Sequence, residues 1–369
     1  MRVLFVAWRD LAHPKAGGSE VVVDQLATGL QARGHDVSLL CAAPIAPRPY
    51  PVVANGGEYS QYLLAPFQYA RRFRHVDLVV DIANGIPFFS PLWCRGPRLC
   101  LVHHVHAEQW AQYFPGPIAA AANFVEKRGV PLVYRNTHFV AVSPSTAHDL
   151  IDTGVDANHV HVVCNGVSVE PSTSPVARSA EPTFVALGRL APNKQLDRLL
   201  DIWARVAPMV GGKLIIAGDG PERERIEARV RTEPTLRSVV VEGRVSEARK
   251  TELLSEAWII VHTSEREGWG LVLLEAGLFD TPALAFRVPG VVDAVVDGVT
   301  GVLVDDDDEF VDQWVALAAD RDRRDRLGTA ANARAIEFSW DRSVDEFLKA
   351  ADAAIKDHRE TKRMANHGN

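Results

Sequence analysis

Short, largely apolar runs recur along this chain, and each empties into a loop or a helical pattern. That rhythm excludes most architectures. A run that is apolar at every position, rather than at alternate ones, suits a strand covered on both faces. Such strands belong to parallel sheets flanked by helices. Residues 3–7 form the first run, followed by a polar loop, 9–18. Ser19 then stands as a helix N-cap, and Val22, Leu26 and Leu30 recur every fourth residue on one helical face. Gly34 suits the helix C-cap, and the next strand begins at residues 37–40. Runs at 76–82, 98–103 and 139–142 repeat the theme.

Between Glu170 and Pro182 apolar periodicity is lost among Pro, Ser and Thr, which reads as a linker. The strand–loop–helix rhythm then restarts. Residues 184–187 lead into Gly188 and Arg189, 213–217 into Gly218, Asp219 and Gly220, 257–262 into Thr263 and Ser264, and 283–286 into a loop ending at Gly290. The expected fold is α/β, with two doubly wound, Rossmann-like domains facing each other across a cleft. Residues 1–170 form the first domain, 171–182 the linker and 183–340 the second domain. A helix over 341–357 packs back on the first domain through Val344, Phe347, Leu348 and Ala351, and 358–369 form a frayed tail. In open α/β sheets ligands bind beyond the C-terminal ends of the strands, so the loops carry the functional reading.

Charge and cysteine usage narrow the function classes. Forty basic against 47 acidic residues give a net charge of −7, which excludes nucleic acid as the main partner. No apolar stretch approaches the roughly 18 residues of a membrane span, so membrane contact would be peripheral. Cys41, Cys94, Cys100 and Cys164 form no C-x-x-C pair and lie in apolar flanks, as small buried hydrophobes in a reducing, cytoplasmic setting.

The richest segment runs from Ser264 to Ala276. Gly268 and Gly270 allow a tight turn before a helix that starts at Leu271, whose free N–H groups would face a ligand. Glu267 lies in the loop and Glu275 two turns into the helix, so they can address different parts of one ligand. By themselves two such carboxylates would fit a solvated acidic loop and a helix-surface Glu better.

Glu267 and Glu275, with seven residues between them, resemble the E-x7-E element of the GT-B retaining glycosyltransferases of family 4. Gly188, Arg189, Leu190 and Lys194 resemble the family's G-R-L-x-x-x-K segment, and residues 218–221 its G-D-G-P turn. Residues 297–304 resemble its D-G-x-x-G-x-L-V stretch, and Gly17, Gly18, Ser19 and Glu20 its N-terminal glycine loop. The resemblance covers nearly the whole chain. It implies transfer of a sugar from a nucleotide diphosphate-sugar to an acceptor hydroxyl, with retained anomeric configuration and without a metal or other cofactor.

Under that resemblance Arg189 and Lys194 neutralise the leaving diphosphate, where a guanidinium fork and an ammonium bind most strongly as charge appears. Glu267 meets the reacting sugar and Glu275 accepts from ribose hydroxyls. Gly17, Gly18, Gly188, Gly218 and Gly220 bring backbone close to the donor, and Gly268, Trp269, Gly270 and Leu271 line its pocket. Arg244 and Val245 lie where relatives read the base. Gly17 and Gly18 also fit a plain helix-leading turn. Family members carry a catalytic histidine at the end of the strand over 98–102, which is His103 or the adjacent His104 depending on the pleat. A metal reading of His103, His104 and His106 finds no nearby carboxylate beyond Glu108, and the acidic run 305–309 reads as a helix-leading cap.

One departure concerns donor choice: where many members read G-G-x-x-E, this chain has Pro289, Gly290 and Asp293. Residues 84–91 and 106–110 resemble a bacterial subgroup acting on cell-surface glycans or glycolipids. The mixed basic and aromatic residues 69–75 fit either an anionic lipid surface or a solvated helix face with Phe73 buried. A sugar-phosphate synthase, an epimerase or an inactive nucleotide-sugar-binding scaffold are the alternative functions.

Overall fold

A computed structural model describes residues 1–106, 109–168 and 177–367. Ala107 and Glu108, residues 169–176 with the first half of the stretch expected as a linker, and the last two residues lie outside it. The chain forms two compact units. Unit 1 comprises Met1–Gly166 with Trp340–Asn369, and unit 2 comprises Val167–Ser339.

Unit 1 holds seven parallel strands: β1 (Arg2–Arg9), β2 (Asp36–Ala42), β3 (Val52–Ala54), β4 (Leu78–Ala83), β5 (Arg98–Val102), β6 (His138–Ala141) and β7 (Val160–Val162), in the order β3-β2-β1-β4-β5-β6-β7. Unit 2 holds six: β8 (Thr183–Leu187), β9 (Lys213–Ala217), β10 (Val239–Gly243), β11 (Ile259–His262), β12 (Ala283–Phe286) and β13 (Gly301–Val304), in the order β10-β9-β8-β11-β12-β13. In both sheets the strand order reverses beside the first strand in sequence, between β1 and β4 and between β8 and β11. The loops there diverge and leave a crevice. The largely apolar strands follow from this packing: β12 is buried at every position, and so is β4, whose one charged residue, Asp81, accepts from the Phe88 and Ser90 N–H groups and the Tyr134 hydroxyl.

Unit 2 is centred on Phe184, Trp203, Phe310 and Trp314, with Trp314 edge-on to Phe184 at 5.3 Å. The helix Leu196–Val210 turns Leu199, Leu200, Trp203 and Val206 inward. Trp203 is fully buried, so its truncation to Ala would remove about 3–5 kcal/mol. The acidic run caps a helix, Asp307–Ala319: Asp306 Oδ1 accepts from Glu309 N–H at 2.8 Å, and Arg198 and Arg205 pair with Asp307 and Asp308.

Several local expectations need correction. Gly17, not Ser19, is the N-cap of the helix Gly18–Ala32. The Glu20 carboxylate takes the Gly17 N–H at 2.7 Å and the Ser19 hydroxyl at 2.9 Å, so the cap is supplied from the third helical position. The C-terminal helix runs Trp340–His367 rather than fraying at 358. Its docked half fixes the helix, and continued propagation gains a hydrogen bond for each residue ordered. Leu348 is only half-buried, while Ser343, Val344, Phe347, Ala350 and Ala351 face the core. Phe347 stacks on Phe5 at 5.9 Å, and Val344 sits so near Gly29 that a Cβ there would lie 2.5 Å from it. The end of the expected linker is anchored: Arg178 donates to Thr281 Oγ1 at 2.5 Å and Asp280 O at 2.8 Å, and Ser179 O accepts from the Trp258 indole at 2.8 Å. Polar anchoring of this kind leaves no apolar period in the sequence. Cys41, Cys94 and Cys100 are buried, whereas Cys164 is half-buried. Burial pushes the Cys41 thiol up to about 12, which leaves it inert.

Candidate active site

A small crevice opens at the switch point of unit 2, lined by the ends of β8 and β11 and by Arg189, Lys194, His262, Thr263 and Ser264. Its centre is a three-way contact. Lys194 Nζ donates to Glu267 Oε1, and His262 Nε2 lies 2.7 Å from the same oxygen. Burial alone would raise the Glu267 carboxyl. The Lys194 ammonium and the His262 hydrogen bond outweigh it and hold the group well below the ordinary carboxylate range. Glu267 is therefore ionised, with a lysine already in place beside it.

The loops that hold this group are tied to one another. Thr263 Oγ1 donates to Lys194 O at 2.9 Å, and Glu265 N–H reaches Asn193 O at 3.0 Å. Glu267 N–H donates to Pro289 O at 3.0 Å. Gly290, at φ +80°, lies so close beneath that a Cβ there would fall 2.2 Å from Glu267 O. The segment that departs from the family pattern thus supports Glu267 directly through its backbone.

Arg189 is exposed on the loop after β8, and its side chain makes no hydrogen bond or ion pair with the described residues. The Ser264 hydroxyl is buried in the crevice lining without a hydrogen-bond partner among the described residues. An unpaired buried hydroxyl costs free energy unless something occupies it.

The glycines of this wall have packing reasons. Gly218 has φ +147°, and a Cβ on it would sit 1.8 Å from Gly188 O; one on Gly220 would sit 2.2 Å from Leu190 O. Gly188 itself has φ +147° and hydrogen-bonds through its N–H to Ala217 O at 3.1 Å. Their identity is set by close backbone approach between neighbouring loops. Beyond β10, Arg244 is exposed and Val245 half-buried.

Gly270, at φ +73°, caps the helix Leu271–Gly277, with Gly268 just before it and Leu271 half-buried at its start. Trp269 is buried edge-on against Phe338 at 4.9 Å, and its indole N–H has no partner among the described residues. Glu275 is buried on that helix, where Lys250 Nζ donates to it at 3.0 Å. Burial raises the Glu275 carboxyl, with Lys250 opposing.

Unit 1 carries the remaining candidates. Gly17 and Gly18 open the helix after β1, and nothing lies within 4 Å of a Cβ placed on Gly18. His103 is buried just past β5. Its carbonyl accepts from Thr146 Oγ1 at 3.4 Å, and its Nε2 has no partner among the described residues. Burial, with repulsion from His104, pushes its imidazole down to about 3, so it is neutral at physiological pH. His104 is half-buried, its ring 4.1 Å from that of His106. His106 in turn stacks on Trp110 at 4.6 Å. The His106 backbone N–H and the Trp110 indole both donate to the Glu126 carboxylate at 2.8 Å, which fixes this loop.

Comparison with known proteins agrees with this architecture. Residues 172–334 match the family described as "Glycosyl transferases group 1", and residues 16–171 match "Glycosyltransferase Family 4". The D-inositol 3-phosphate glycosyltransferase of Xylanimonas cellulosilytica is 30% identical, with 92% of this chain aligned to 93% of that protein. This chain belongs to the family 4 glycosyltransferases.

Another relative of this glycosyltransferase, the N-acetyl-alpha-D-glucosaminyl L-malate synthase of Bacillus anthracis, is 23% identical over 91% of this chain and 93% of its own. Among solved structures, Anabaena HepE in complex with UDP-glucose superposes with a TM-score of 0.80 at 18% identity, covering 96% of this chain and all of that one. The sucrose-phosphate synthase of Thermosynechococcus elongatus gives 0.76 at 20% identity, with both chains fully covered. The fold is GT-B.

Within the glycosyltransferase the structure brings Lys194 and Glu267 together and sets Arg189 on the same crevice. Sequence reasoning passed over His262, Ser264 and Lys250. The position of His262 as the last residue of an otherwise apolar strand was the available signal for it. Lys250 lies on a different helix from Glu275, and no spacing rule connects them.

Proposed function

We propose that this glycosyltransferase moves a sugar from a nucleoside diphosphate-sugar to an acceptor hydroxyl, retaining the anomeric configuration and using no metal in the transfer. The observation that carries the reading is the ionised Glu267 held between Lys194 and His262 beside the exposed Arg189, at the switch point of unit 2. Two cations placed there meet the charge that develops on the leaving diphosphate. Glu267 accepts from donor-sugar hydroxyls, and Glu275 from the ribose in exchange for Lys250. The neutral imidazole of His103 offers a further hydrogen bond to the donor sugar. Gly17, Gly18, Gly188, Gly218 and Gly220 present backbone to the phosphates. Gly268, Trp269, Gly270 and Leu271 line the pocket, and His104, Arg244 and Val245 complete the donor contacts.

No carboxylate is assigned as a covalent nucleophile. The glycosidic bond breaks as the acceptor oxygen approaches on the same face, and the departing phosphate takes the acceptor proton. An Arg189→Ala variant should lower kcat/KM by more than it weakens binding of the free nucleoside diphosphate; equal losses would remove Arg189 from the transition state. Proton NMR of the first-formed product reads the anomeric configuration, and inversion or a trapped glycosyl–enzyme adduct would overturn the mechanism.

The acceptor has two readings. Leu63 and Phe67 stand exposed on the helix Gln61–Gln68, and Arg71, Arg72 and Arg74 follow in the next turn, as a face resting on an anionic membrane would require. That favours a glycolipid or cell-surface glycan. The names of the relatives instead indicate small anionic acceptors, an inositol phosphate and malate. Mass spectrometry of products formed with each acceptor class separates the two.

A further inference from the structure

The imidazoles of His138, His159 and His161 cluster at the edge of the unit 1 sheet, at the opposite strand end from His103. His138 opens β6, His159 ends the short turn before β7, and His161 lies within β7. The C-terminal helix crosses here and brings Asp357 to the group. His138 is 7% exposed. Its Nδ1 lies 2.8 Å from His161 Nε2, and the two rings stack at 5.1 Å. Its Nε2 is buried with no hydrogen-bond partner among the described residues, and the nearest Asp357 oxygen is 3.7 Å away. The His159 ring stands 4.7 Å from that of His138.

One ligand atom each from His138, His159 and Asp357 lies within 4.8 Å of the other two. Ligands on a tetrahedral zinc at about 2.0–2.1 Å stand roughly 3.3 Å apart. Asp357 is half-exposed and free to rotate inward, so small side-chain movements reach that spacing. The tautomer is also provided for. If His138 Nδ1–H donates to His161 Nε2, the lone pair of His138 falls on Nε2, the nitrogen nearest Asp357.

We propose that His138, His159 and Asp357 form a structural site for a zinc-class divalent cation, with water in the fourth position and His161 orienting His138. Two imidazoles and a carboxylate are a donor set for zinc, cobalt or nickel rather than for magnesium or calcium. The chain leaves unit 1 at Gly166 and returns at Trp340, so the ion would close a loop containing the whole of unit 2. Closing so long a loop restricts the unfolded chain most and fastens the returning helix to β6 and β7.

The full chain, stripped with chelator, would be titrated with Co²⁺ alone and then with competing Zn²⁺. The expected result is one Co²⁺ per chain with the visible absorption of tetrahedral cobalt, displaced by Zn²⁺, and a melting temperature raised by either metal. His159→Ala and Asp357→Asn should each abolish the band. His161→Phe should weaken affinity about 10–100-fold, as loss of an orienting partner does. His148→Asn, which alters an exposed histidine elsewhere, should change nothing. Because Asp357 and His159 are not core residues, far-UV circular dichroism of those variants should match the parent. If either misfolds, the other together with His161→Phe still decides. Absence of a stoichiometric band in the parent chain, a cysteine–cobalt charge-transfer band, or binding that survives both His159→Ala and Asp357→Asn would overturn the proposal.

Discussion

Glu267 illustrates how one residue can serve both stability and binding. Its ionised form is held by Lys194 and His262, so its pKa in the folded protein lies below the unfolded value. A carboxyl depressed in this way stabilises the fold fully above about pH 4.5, and the contribution is lost progressively as pH falls from there toward the depressed pKa of the folded state. The stability advantage of the parent over Glu267→Gln, measured by urea denaturation, should therefore be present at neutral pH and shrink in acid. An advantage that grew on acidification would contradict the pairing. Glu267→Ala leaves Lys194 free for phosphate, so nucleoside diphosphate affinity should hold or rise while the extra affinity conferred by the sugar disappears. Calorimetry with the diphosphate and with the diphosphate-sugar reads both. His103 gives a separate test: its imidazole proton signal should stay still between about pH 8 and 5, because its pKa is near 3. A midpoint near 6.5 would mean that the ring is solvated.

Among the elements, the loops following β8, β9, β11 and β12 matter most, because they touch through backbone rather than side chains. Gly218 shows this most sharply, since any Cβ there would collide with Gly188 O. Gly218→Ala should cost several times more stability than Gly34→Ala, which has a similarly disallowed φ but open space, and which should cost about 1–2 kcal/mol. Equal denaturation midpoints for the two variants would contradict this account of the loops. These contacts also show what sequence reading can reach. The G-D-G-P turn was visible, but its reason was not, because the atom that forbids a side chain belongs to a residue thirty positions earlier. Likewise Glu267 was recognisable from its spacing to Glu275, whereas the Pro289–Gly290 support and the His262 contact arise only when β11 and β12 lie side by side.

On the scale of the molecule, largely apolar strands alternating with helices made the two parallel sheets legible, because burial on both faces leaves a distinctive composition. The strand order, which places the switch points and hence the crevice, comes from crossover connections that no local pattern encodes. The cluster at His138 was equally hidden, since its members come from a strand, the turn before another and a helix that follows unit 2 in the chain. The claim on which the functional reading depends is that the crevice at the ends of β8 and β11 binds a nucleoside diphosphate-sugar through Lys194 and Arg189. Titration calorimetry with UDP-, GDP- and ADP-sugars tests it most directly, on the parent chain and on Lys194→Ala with Arg189→Ala. We expect one nucleotide class to bind the parent. The double variant should bind it at least 10–100-fold more weakly, as loss of charge-assisted phosphate contacts requires. Failure of every donor to bind the folded parent, or undiminished affinity in the double variant, would contradict it.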